Sequence, residues 1–173
     1  MEHIKVILSL IKKKYLSLRK PNFSFVQQAV RQKPYKELVE SIANLFSITE
    51  DTDENNDVSF GFILRTTTAI LILRISMVGP YYLLLKTTSD GCCFLIKPTT
   101  YLSLAEQQVI DLLSAKGLQM LDEGLLLQPI NLTLSNAQAN NTYIFQALFT
   151  DTDTIPWNSY NEETKSDKGI LGR

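Results

Sequence analysis

The chain has 173 residues, 45% of them hydrophobic and 20% charged, with 17 Lys and Arg against 18 Asp and Glu. That balance excludes a disordered, collagen-like or disulfide-scaffold protein, and a chain of this length buries roughly 70% of its unfolded surface without help from a metal or disulfide. One His (His3) and two adjacent Cys leave little material for catalysis.

Residues 3–18 predict a helix, because Ile4, Ile7, Leu8, Ile11, Tyr15 and Leu18 recur at helical spacing while Lys5, Lys12 and Arg19 share another face. A second helical segment spans 24–47. Ser24 and Gln27 form a capping-box pattern at its start, and Pro34 interrupts it. The acid-rich run 50–57, EDTDENND, reads as an exposed loop. The period then changes from helical to alternating. Segments 58–65, 69–78, 81–86 and 92–97 are rich in β-branched and aromatic residues, and their connections at 66–68, 79–80 and 89–91 are too short for parallel crossovers. These features predict a four-stranded antiparallel meander over 58–97.

Ser103 and Glu106 make another capping box, opening a helix over 103–116 that Gly117 stops. Further strands are expected within 118–149: a short one at 118–121, then a hairpin of 130–134 and 143–149 around a polar loop. The fold class is therefore α+β, a mainly antiparallel sheet with helices 3–18, 24–47 and 103–116 against one face. Residues 1–157 form a single domain, and 158–173 a flexible polar tail.

Residues 1–40 carry nine basic and three acidic side chains, a balance of +6; residues 41–173 carry eight and fifteen, a balance of −7. The apolar stretch at the N-terminus is short, contains Lys5 and is followed by cations, unlike a signal peptide. Segment 69–85 holds Arg74 and Gly79-Pro80 and is shorter than a membrane span needs. Cys92 and Cys93 read as small hydrophobes on opposite faces of a strand, suited to a reducing compartment. A soluble, cytoplasmic protein is expected.

Asp51, Asp53, Asn55 and Asp57 follow the first positions of a calcium loop, but Asn56 replaces the turn glycine and Phe62 the bidentate glutamate, so a solvated loop is expected. Asp151 and Asp153 share a face in an extended segment without a His, Lys or Cys nearby to complete a site; Ile155 and Trp157 would pin the chain onto the core. No phosphate loop, nucleophile elbow or metal spacing is present, and no cofactor is expected.

Two functions fit. The first is a non-catalytic interaction domain (an adaptor, a dedicated chaperone or an immunity-type inhibitor), touching its partner protein through Asp51, Asp53, Glu54 and Asp57 and through Asp151, Asp153 and Trp157. The alternative is a small-molecule-binding domain or enzyme with a pocket near Arg74, Tyr81 and Tyr82. Arg74, inside an apolar strand, must pair with a carboxylate, reach water or serve a ligand. A homodimer through the edge strand 143–149 is possible. The basic N-terminal helix offers a surface for membrane contact, whereas its Lys-rich composition argues against nucleic acid.

Overall fold

The computed structural model describes residues 2–66, 69–89, 91–97, 102–136 and 142–157. The predicted tail at 158–173, Asp90 of the predicted 89–91 turn and most of the 135–142 loop lie outside them. In chain order the elements are α1 (Glu2–Tyr15), α2 (Ser24–Gln32), α3 (Lys36–Ala43), β1 (Ser47–Glu50), β2 (Ser59–Arg65), β3 (Ile70–Ser76), β4 (Tyr81–Thr87), β5 (Cys93–Leu95), α4 (Leu104–Ala115), β6 (Gln119–Met120), α5 (Glu123–Leu126) and α6 (Ile144–Phe149).

Strands β1 to β5 follow one another as antiparallel neighbours, and β6 adds a parallel pair to β4. The outer side of β4 is shared, with Leu85–Thr87 against β5 and Tyr81 and Tyr82 against β6. The fold is α+β, and the expected meander corresponds to β2 through β5. Gly91, at φ +83, turns the chain between β4 and β5, and Thr88 N–H donates to the Cys92 carbonyl across the turn.

Helices cover both faces of the sheet rather than the single face the sequence predicts. Strand β4 is buried at five consecutive positions, Tyr81 to Leu85, so neither of its faces can be left to water. On one face, Tyr35 packs edge-on against Phe60 and Lys86 pairs with Glu106 of α4 at 2.8 Å. On the other, Ser59 Oγ donates to the Phe149 carbonyl of α6 at 2.7 Å, and the Tyr15 hydroxyl of α1 donates to the Ala147 carbonyl at 2.9 Å.

Pro34 breaks the 24–47 segment into two helices, as the sequence predicts, and Lys33 takes a left-handed φ of 44 just ahead of it. Several other predicted elements differ. The capping box at Ser24 does not form, since Phe23 is the cap residue and Ser24 N–H donates instead to Asn22 Oδ1 at 2.7 Å. The box at Ser103 and Glu106 does form. Ser47–Glu50, read as the helix end and the start of the acidic loop, is edge strand β1. Residues 130–134 run without ladder pairing, fixed by Thr133 N–H to the Leu18 carbonyl.

The most consequential correction is 143–149. It is helix α6, buried at every position from Ile144 to Phe149. An apolar run without alternation does not distinguish a strand from a buried helix turn. Gln146 Oε1 accepts from Tyr143 N–H, which favours the helical form. With no strand edge there, the expected dimer through 143–149 has no basis.

Candidate functional site

The acidic loop is built by its own side chains. Asp53 Oδ1 accepts from Asn55 N–H at 3.0 Å and Asp53 Oδ2 from Asn56 Nδ2 at 2.7 Å. The Asn56 amide, first, and the Asn55 N–H hold the Asp53 carboxyl below its ordinary range. Asp57 Oδ2 accepts from Asp53 N–H at 3.2 Å, closing the loop on itself.

Arg74 ties this loop to the sheet. Its Nη1 donates to Asp57 Oδ2 at 2.7 Å and to the Asp51 carbonyl at 3.2 Å, and its Nη2 to Asp51 Oδ2 at 3.0 Å. Gly61, the cross-strand partner of Arg74, makes room for the guanidinium: a Cβ there would collide with Arg74 Nη1 and lie 2.5 Å from the Asp51 carbonyl oxygen. Of the three fates open to Arg74, pairing with carboxylates is the one realised. Its side chain nevertheless keeps 23% exposure, against 12% for Asp57. Burial pushes the Asp57 carboxyl up, and the guanidinium pulls against burial without overcoming it.

The second acidic segment lies against the first. Asp57 and Thr150 form a bridge, Asp151 N–H donates to the Asn56 carbonyl at 2.6 Å, and Thr150 Oγ1 donates to the same oxygen at 3.1 Å. Asp151 is buried and accepts from Ser135 N–H at 2.9 Å and Asn136 Nδ2 at 3.3 Å. Burial raises its carboxyl in spite of those bonds.

Between the segments runs a cleft of about 400 Å³. Ile72, Leu85, Phe145 and Phe149 give it apolar walls; Asp51, Asp53, Asp57 and Arg74 line its charged side, and Thr152 and Thr154 its other side. The carboxylates of Asp53 and Asp57 are already committed to loop amides and to Arg74, an arrangement unlike a calcium cage. Among the described residues, no cluster of three or more His, Cys, Asp or Glu has metal-holding geometry.

The predicted residues therefore separate. Asp51, Asp53, Asp57 and Arg74 meet at the cleft. Glu54 and Asp153 are exposed but do not line it. Trp157 is buried behind it, edge-on to Phe145 at 4.9 Å, with Nε1 donating to Glu123 Oε1 at 3.0 Å. Tyr81 and Tyr82 are core residues on opposite faces of β4 and do not line the cleft. Burial pushes both phenols up.

Sequence reasoning missed Gly61, Phe145 and Phe149. A glycine inside a strand, flanked directly by Phe60 and Phe62, was the available signal for the first. The phenylalanine spacing, four apart, was the signal for the other two. Comparison with protein-family models, with curated proteins and with solved structures finds no match.

Proposed function

We propose that the chain is a non-catalytic protein-interaction domain, of the adaptor, dedicated-chaperone or immunity-inhibitor kind, acting in a reducing compartment such as the cytoplasm. Its cleft receives a partner segment that presents Lys or Arg beside apolar side chains. One observation carries this reading: two acidic segments almost a hundred residues apart, 51–57 and 150–154, are clamped together around one apolar-walled groove. Three carboxylates face a single guanidinium there, so an incoming cation is favoured. Its aliphatic stem would lie on Phe145 and Phe149.

The test is site-specific cross-linking in the native host, with a photoreactive residue at Thr154. A discrete cross-linked partner, weakened by Asp53→Asn and by Thr152→Arg while thermal stability is kept, supports the reading. Asn can keep only one of the two bonds that Asp53 accepts, from Asn55 N–H or from Asn56 Nδ2, so loss of capture reports charge only where the melting temperature is retained. Failure to recover any partner, or capture indifferent to both changes, would count against it. A cleft of about 400 Å³ also falls in the size range of small-molecule sites. A ligand that raises the melting temperature of the wild type but not of Thr152→Arg would favour that alternative.

A further inference from the structure

The N-terminal helix and the turn after it carry Lys5, Lys12, Lys13, Lys14, Arg19 and Lys20, all exposed. Within the described residues none of these cations forms an ion pair. Helix α1 buries Ile7, Ile11 and Tyr15, so at 100° per residue Val6, Ser9 and Lys13 point outward. Val6 is 50% exposed.

The helix then stops at Tyr15, three residues short of where its apolar pattern ends. Leu16 takes a left-handed φ of 61 and is 75% exposed. A side chain with a Cβ resists that conformation. The turn is held firmly nonetheless. Leu16 N–H donates to the Lys12 carbonyl, Asn22 N–H to the Tyr15 carbonyl and Thr133 N–H to the Leu18 carbonyl. The fold thus presents a strained leucine to solvent in the midst of cations that form no ion pair among the described residues, Lys14 alone of them lying over the Phe25 ring at 5.8 Å.

We propose that this surface docks on an anionic lipid bilayer, with Leu16 entering the headgroup boundary and the flanking lysines meeting lipid phosphates. Charge complementarity supplies the attraction, and a bilayer alone among polyanions rewards an exposed Leu16 and Val6. A nucleic acid would be served by interleaved Arg and aromatic residues, whereas Phe23 and Phe25 here are turned in against Tyr15.

The experiment is co-sedimentation of the full chain with vesicles of phosphatidylglycerol and phosphatidylcholine, against phosphatidylcholine alone. Binding is expected to the first only and to fade as salt is raised. Lys13→Gln and Lys20→Gln should each weaken it about fivefold. Leu16→Gly should weaken it several-fold while holding or raising the melting temperature, because glycine adopts positive φ freely. That separates lost docking from lost folding. Equal binding to both vesicles, or Leu16→Gly binding like wild type, overturns the proposal. So does duplex DNA that binds as tightly as the anionic vesicles and is indifferent to Leu16→Gly.

Discussion

Arg74 is the residue through which the sheet and the acidic loop are made one unit. Its two nitrogens reach Asp57 and Asp51, and the missing side chain at Gly61 is what lets them. Removing one partner of a largely buried pair costs more than the pair contributes, since the other charge is left desolvated. Arg74→Met should therefore lower stability by about 2 kcal/mol, discounted from the fully buried case for the exposure that remains. Adding Asp57→Asn to that variant should recover part of the loss, because the asparagine needs no cation and can still accept from Asp53 N–H. Urea denaturation of the two single variants and the double one checks this. Additive losses would mean that the 2.7 Å contact is not an energetic coupling.

At the scale of elements, α4 is fixed twice by one carboxylate. Glu106 accepts from Ser103 N–H at 2.7 Å to close the capping box and meets Lys86 of β4 at 2.8 Å. Burial works to raise this carboxyl, but Lys86 and Ser103 outweigh it and hold it below the ordinary glutamate value of 4.5. The folded protein consequently binds fewer protons than the unfolded chain as pH falls toward and below that value. The stabilisation is complete at higher pH and is lost as pH drops through the lowered folded value. Glu106→Gln, which keeps a cap acceptor but not the charge, should be about 1 kcal/mol less stable than wild type near neutral pH. The gap should narrow as the buffer is taken below 4.5, followed by urea midpoints across pH. A gap independent of pH would assign the effect to packing.

That box was legible in the sequence because its signal is local, a Ser and a Glu three apart before an apolar run. The meander was legible for the same reason, being made of neighbours joined by short turns. The α6 segment was not, since a fully buried run has no polar face to reveal its period. Strand β1 was hidden because its four residues are mostly exposed and acquire their pairing only from β2. The cleft lay between these cases. Its acids stood out one by one, but their meeting depends on contacts such as Asp57 with Thr150, far apart in sequence.

Across the whole molecule, the segment after α6 behaves as a strap rather than as a loose end. Its only tryptophan, Trp157, is also the only one in the chain. Glu123 of α5 accepts from Trp157 Nε1 through one oxygen and holds Lys97 at 2.7 Å through the other, so a single side chain joins the strap to the segment after β5. Lys97, before burial and Trp157 enter, is what keeps the Glu123 carboxyl low. If the strap belongs to the cooperative core, tryptophan emission and far-ultraviolet circular dichroism should report one coincident unfolding transition in wild type. Glu123→Ala should break the coincidence: emission should shift red at urea concentrations where the dichroism is still native. The loss of that bond should lower overall stability by about 1–2 kcal/mol. Because Phe145 stands between Trp157 and the cleft, the same variant should loosen the groove's apolar wall. Coincident transitions in Glu123→Ala would show that ring packing alone holds the strap, and would remove Glu123 from any account of how the cleft keeps its shape.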